Sequence, residues 1–291
     1  MMRTLWQDLR YGVRTLLKRP GFATLAVLVL ALGIGANSAI FSVINAVLLR
    51  PLPYKNSERI VVPVSTNVER GFDNASVPYA DFLDWKNEEQ LFEHVSVFQQ
   101  VNLDLTGVGE PERVPGVRAT EGFFDVIGLQ PLVGRRLLPE DHQPGGAAVA
   151  VINDGLWQRR FGGEKEIVGR MIALNGRQYQ IVGVMPSPTA SPDATDVWVP
   201  IIFESGGPSS DVLRRDNFIW QSIALLKQDV SLAQANAKLQ TVARRIEEEH
   251  SQIRKGWSTR AVPLNESIVG TQLRQALLVL FGAVAFVLLI A

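Results

Sequence analysis

The chain has 291 residues, 29 basic and 29 acidic side chains, and no cysteine. Without thiols it forms no disulfide, carries no thiolate nucleophile and offers no Cys-ligated metal site, and a chain of this length can build a core without such staples. The zero net charge conceals a polarity: residues 1–20 carry Arg3, Arg10, Arg14, Lys18 and Arg19 against Asp8, a net of +4, which leaves 24 basic and 28 acidic residues, a net of −4, for the remainder.

In chain order, the first element is an amphipathic helix over residues 1–20. Leu5, Trp6, Leu9, Val13, Leu16 and Leu17 fall on one side at 100° per residue; Arg3, Gln7, Asp8, Arg10, Arg14 and Lys18 fall on the other. Such a helix can lie in the headgroup layer, or it can dock a cytoplasmic partner. Five cations make no strong phosphate track and the rest of the chain is acidic, which argues against nucleic acid as a partner.

From Gly21 to Leu49 no residue is charged, and these 29 residues reach about 43 Å as a helix, more than a bilayer core requires. Arg50, Pro51 and Pro53 close the run. A cleaved signal peptide is the competing reading, against which stand the long helical leader and the long apolar stretch. The basic end predicts a cytoplasmic N-terminus and residues 50–274 outside. Ala31, Gly35, Ser38, Ser42 and Asn45 follow a 4-3-4-3 spacing, a stripe of small or polar side chains suited to helix packing in lipid.

The region 50–274 reads as mixed α and β. Strands are expected over Arg59–Thr66, His94–Leu105, Arg113–Ala119, Ala147–Ile152 and Asp196–Ile202. Met171–Leu174 and Gln178–Val184 flank Asn175-Gly176, a hairpin signal. Helices are expected from Ser76 to about Leu91, over Gly122–Ile127 and over Gly155–Phe161. Near the end, strands at Trp220–Leu226 and Trp257–Leu264 enclose a helix. Ser231 and Gln234 form its capping box, and Leu232, Ala235, Leu239, Val242, Ala243 and Ile246 its buried stripe. A β-α-β near each end and a hairpin-rich middle predict an α+β or α/β subdomain with an insertion at about 121–213. A second uncharged run, 275–291, is still apolar at Ala291, and we expect it to be the start of a second transmembrane helix, cut short.

Familiar catalytic signatures are missing. No lysine precedes Ser or Thr, so there is no Walker A loop; there is no G-x-S-x-G; His94, His142 and His250 form no metal-binding pair. The tryptophans at 85, 157, 198, 220 and 257 read as core rather than as a ligand cage. The chain is therefore expected to be no enzyme and to bind no cofactor.

Residues 8–54, DLRYGVRTLLKRPGFATLAVLVLALGIGANSAIFSVINAVLLRPLPY, closely resemble the start of MacB/FtsX-type ABC transporter permeases, most of all the acidobacterial duplicated orphan permeases. VPYADFLDW at 77–85, FFDVIGLQPLVGR at 123–135, AVAVINDGLWQRRFGG at 148–163, GRMIALNGRQYQIVGVMP at 169–186 and VPLNESIVG at 262–270 extend the resemblance over the whole chain. It implies a permease of the bacterial inner membrane: transmembrane α-helices plus an extracytoplasmic domain with a porter-like subdomain and an inserted one. ATP would be hydrolysed by a separate cytoplasmic ABC ATPase. Its cycle would move the outer domain for export or mechanotransmission. A second permease unit, as a homodimer or a duplicated half, the lipid bilayer and other periplasmic proteins are the implied partners. The alternative is a membrane-anchored binding or sensor module without transport.

Overall fold

The computed structural model describes residues 20–44, 54–186, 195–203 and 207–269, with the isolated positions 279, 280, 282 and 286. The chain divides into two compact units, Met1–Pro51 with Val269–Ala291, and Leu52–Ile268.

In the first unit, α1 (Pro20–Ile44) is a 25-residue helix without a charged residue. Ser42 Oγ donates to the Ser38 carbonyl at 2.8 Å, which satisfies a hydroxyl within its own helix. Several side chains of α1 lie outside the described set, and among the described residues no helix is long and apolar enough to cross a membrane. The spanning assignment thus rests on the sequence. The amphipathic helix expected before α1 and most of the run 275–291 lie outside the described residues.

The second unit contains β1 (Ile60–Asn67), β2 (Phe72–Ala75), α2 (Tyr79–Lys86), β3 (Phe92–Thr106), β4 (Glu112–Ala119), α3 (Phe123–Ile127), β5 (Val133–Gly134), β6 (Val149–Asn153), α4 (Asp154–Phe161), β7 (Met171–Leu174), β8 (Arg177–Met185), β9 (Val197–Pro200), β10 (Gln221–Leu226), α5 (Leu232–Glu249), α6 (Ser251–Arg254), β11 (Ser258–Pro263) and α7 (Leu264–Val269). One hydrogen-bonded sheet runs β11-β1-β10-β3-β4-β9-β6-β8-β5, with β2 on β1 and β7 on both β3 and β8.

Its first part, β11-β1-β10-β3, is antiparallel throughout. The strands joined through α2, β1 and β3, are parallel but separated by β10. Those joined through α5, β10 and β11, are separated by β1. The two helical crossovers expected from sequence are present, yet neither closes a parallel pair: this is the split β-α-β pattern of ferredoxin-like folds. Helices α2 and α5 cover one face of it. Phe82, Trp85, Leu239, Val242 and Ile246 pack there on Val61, Ala224, Leu226 and Ala261. The capping box of α5 forms as expected, with Ser231 Oγ accepting from the Gln234 N–H and Gln234 Oε1 accepting from the Ser231 N–H.

Two expected boundaries differ. Helix α2 ends at Lys86, not near Leu91, because Leu91 accepts from the Lys227 N–H and Phe92 already pairs with Leu226 at the start of β3. Its cap is Pro78, not Ser76; the extended segment before it instead bridges Val77 to Trp220.

The second part closes on itself. Strand β3, 15 residues long, leaves β10 at Phe98 and continues against β4. From β4 the pairing passes to β9, β6, β8 and β7, and β7 returns to β3 through Leu105↔Leu174 and Thr106↔Ala173. Six strands therefore form a ring, which leaves no free edge within it. Alternation sorts the side chains. Ala150 and Ile152 of β6, Ile181 and Val184 of β8, and Val197 and Val199 of β9 share one cluster with Leu103, Leu105, Ile172 and Leu174, while Val149, Val151, Val182, Met185 and Trp198 belong to another. Asn175-Gly176 turns between β7 and β8 with both φ positive (50° and 77°), as the Asn-Gly signal requires.

Candidate functional site

Antiparallel pairing of β1 with β11 sets Val61 opposite Pro263, so the start of β1 lies beside the end of β11. The two ends of the 52–268 unit are therefore neighbours. Both are held in one core. Tyr54 and Leu264 are each only 6% exposed, and with half-buried Ile268 they pack among Ile60, Ile223, Leu225, Phe123 and Ile127. Burial pushes the Tyr54 phenol well above its ordinary range, so it stays protonated. A chain of edge-to-face rings continues from this core into the ring of strands: Phe98–Phe123 at 5.3 Å, Phe123–Phe124 at 5.6 Å and Phe124–Trp198 at 5.8 Å. A displacement applied at either end of the unit thus meets one strand pair and one aromatic path.

The same core holds a cavity of about 330 Å³. Val62, Val64, Ile223, Trp198 and Trp220 line it together with residues of α3 and α7 and the polar Asn74, Ser76, Gln221, Ser222 and Ser267.

On the opposite, helix-covered face sits a buried ionic network. Arg254 donates to Asp81 at 2.6 Å, with the two side chains 1% and 0% exposed. Arg215 donates to Asp81 at 3.0 Å and to Asp84 at 2.5 Å. The Arg254 guanidinium also donates to the Arg215 carbonyl at 3.0 Å and lies 5.1 Å from the centre of the Phe218 ring, which stacks on Trp257 at 4.0 Å. Burial pushes the Asp81 carboxyl above its ordinary range, against the pull of Arg254 and Arg215, and pushes Arg254 down. Guanidinium groups keep their protons in proteins, so Arg254 and Arg215 bring positive charge to the Asp81 carboxyl. The network locks α2 to α6 and to the loop before β10.

The residues singled out from sequence are placed as follows. Ala31, Gly35, Ser38 and Ser42 lie exposed on α1, while Asn45 lies outside the described residues, as do Leu5, Trp6, Leu9, Val13, Leu16 and Leu17. Burial pushes the His142 imidazole below its ordinary range. Among the described residues no group of His, Asp and Glu could hold a metal ion. The network was invisible in the sequence because Asp81 and Arg254 are 173 positions apart. The joint docking of Tyr54 and Leu264 was equally hidden, since nothing local announces that β1 pairs with β11.

Residues 23–242 match the family described as the MacB-like periplasmic core domain. Among solved structures, the periplasmic region of MacB from Actinobacillus actinomycetemcomitans is similar at 15% identity and TM-score 0.52, over 73% of this chain and 91% of that one. A domain of a permease protein from Porphyromonas gingivalis is similar at 16% identity and TM-score 0.52, over 72% of this chain and 93% of that one. No curated protein matches the chain. At these identities the structures speak to the fold alone. The acidobacterial duplicated group suggested by residues 8–54 is not among these matches.

Proposed function

Since the chain belongs to the MacB-like periplasmic core domain family, we propose that its 52–268 unit is the extracytoplasmic domain of an ABC-transporter permease and that it is moved through its two ends. Both ends dock in one core at the paired termini of β1 and β11, and this observation carries the reading. The uncharged run 21–49 anchors the domain in the inner membrane, with the basic residues 1–20 retained in the cytoplasm. ATP is bound by a separate cytoplasmic ATPase, against which the hydrophobic side of residues 1–20 packs. The movement serves export or mechanotransmission, and the stripe Ala31, Gly35, Ser38, Ser42 and Asn45 faces a further helix of the permease, from this unit or a second one.

Gly35→Leu tests this in native membranes. A Cβ at Gly35 meets no described atom within 4 Å, its chain neighbours and its own helix backbone aside, so an effect of added bulk points to another helix. The expected result is loss of ATPase co-purification or of its stimulation, on the scale of an overpacked interface, about 1–3 kcal/mol, while the neighbouring volume-conserving Ile34→Leu is silent. Wild-type behaviour of Gly35→Leu on both readouts would favour an anchored binding module instead.

A further inference from the structure

Strand β1 lies between β11 and β10, yet it carries a proline, which an inner strand tolerates poorly. Pairing with β10 sets Val61 opposite Ala224, and two residues on in that register Pro63 falls opposite Ser222. Pro63 has no N–H to give, and the pairing stops at Val61. The Ser222 hydroxyl donates to the Pro63 carbonyl instead. Beyond this point β1 takes β2 as its neighbour through Ser65↔Ala75, while Trp220 turns to Val77. The cavity of about 330 Å³ lies where the two strands part, since Pro63, Ala75, Val77, Trp220 and Ser222 all line it. It is thus built into the sheet, and its volume is that of a small-molecule site.

The lining changes in character along the cavity. Toward α3 and α7 it is apolar, with Val62, Phe123, Ile127, Ile223, Leu264 and Ile268. The indole nitrogens of Trp198 and Trp220 are buried, so these rings lend surface only. Where the strands part, the lining is polar and uncharged. Ser222 is engaged by Pro63, and Asn74 Oδ1 accepts from Arg260 at 2.9 Å. Ser267 is exposed on α7, and Tyr54 adds a phenol that stays protonated. Half-buried Ser76 and exposed Gln221 also line a second space of about 340 Å³, shared with Gln99 and Gln100. The apolar cavity therefore adjoins an amide-lined cleft. Among the described residues no Asp, Glu, Lys, Arg or His lines either one.

We propose that the parting of β1 and β10 binds an uncharged amphiphile: one hydrocarbon chain lies among the sheet, α3 and α7, and a head bearing hydroxyls or amides rests on Ser76, Gln221 and Gln99. A charged head would give up hydration at this mouth and meet no counter-charge in return. A polar molecule without a chain would leave the apolar end unfilled. The assignment goes beyond the coupling read above and does not depend on it.

The probe is octyl glucoside with a diazirine at the end of its alkyl chain; irradiation expels N2, and the carbene inserts into a nearby C–H bond. The full chain, in phosphatidylcholine nanodiscs, is irradiated with increasing probe, and the adducts are located by peptide mass spectrometry. Saturable adducts are expected in the peptides carrying Ile127 and Ile268. Excess unlabelled octyl glucoside should remove them, whereas equal excesses of octanoate or octyltrimethylammonium should not. Gln221→Leu, at an exposed strand position, removes the amide common to both spaces and should raise the half-saturating concentration about fivefold to tenfold. Ile268→Trp, at a half-buried position, should fill the apolar end and abolish the adducts. Circular dichroism checks the fold of both variants. The proposal is overturned if those peptides carry no saturable adduct, if either variant labels like the wild type, or if the charged chains compete as well as octyl glucoside. That last result would mean that the cavity takes any hydrocarbon tail and does not select an uncharged head.

Discussion

The two parts of the outer domain's sheet solve the same problem in opposite ways. The part built from β11, β1, β10 and β3 is open. It ends in the edge strand β11 and depends on α2 and α5 to cover one face. The other part returns from β7 to β3 and needs no helix layer to hide its edges, because ring closure pairs them. The open part accordingly keeps its charges inside, where Asp81, Arg254 and Arg215 clamp the helix layer to the loop before β10. Where the short strand β5 lies on the ring's β8, the contact is backbone against backbone. Gly134 of β5 faces Gly183 of β8, and a Cβ on either would lie 2.2 Å or 2.1 Å from a carbonyl oxygen across the pair. An open layer can be loosened by losing one ion; a closed one is strained by gaining one methyl.

The largest expected effect tests the open part. Asp81→Asn leaves the Arg254 guanidinium buried without its counter-charge, and should cost about 3–5 kcal/mol in urea unfolding. Asp81→Leu combined with Arg254→Met should recover most of that loss, because an apolar pair of similar volume replaces the ions and Arg215 keeps Asp84. If the double variant is as unstable as the single one, the clamp acts through shape rather than charge.

The closed part should respond next. Gly183→Ala places a methyl against the Arg135 backbone, where neither strand can yield without breaking β5 from β8. A loss of about 3 kcal/mol is expected. Amide hydrogen exchange should show it confined to β5 and β8 rather than spread to α5. Uniform loss of protection would show that the two parts unfold as one body and erase the contrast drawn between them.

The smallest effect compares two buried carboxylates. Asp81 has its pKa raised, but Asp141 has its pKa lowered. Burial alone would raise Asp141 too; a bidentate pair with Arg135 at 2.6 and 3.0 Å and the Leu138 N–H at 2.8 Å outweigh it. A carboxyl whose folded pKa lies below its unfolded one stabilises the fold above the unfolded value, near pH 4, and that contribution disappears as pH falls through the folded value. Asp141→Asn should therefore flatten the decline of the urea midpoint between about pH 4 and lower pH. An unchanged slope would mean that Asp141 contributes nothing to it.

Local patterns in the sequence determined much of this molecule. The period of Ala235, Leu239, Val242 and Ile246, closed by Ser231 and Gln234, specified α5 because an amphipathic face and a capping box are local chemistry. Asn175-Gly176 specified the β7–β8 turn because two successive positive φ angles admit few residues. The uncharged run 21–49 and the basic residues before it are also properties of the chain alone. Pairing is not local, and there tertiary structure decided. β10 enters between β1 and β3 from 154 positions beyond the end of β1, as the order of the strands shows. β7 turns back onto β3 and closes a ring that no spacing in the sequence announces. Arg254 finds Asp81 only after both helices have docked. Strand faces and helix stripes follow from side-chain periodicity, which every residue carries. Which strand lies beside which follows from the packing of the whole core, where distant residues become neighbours only when all the others are in place.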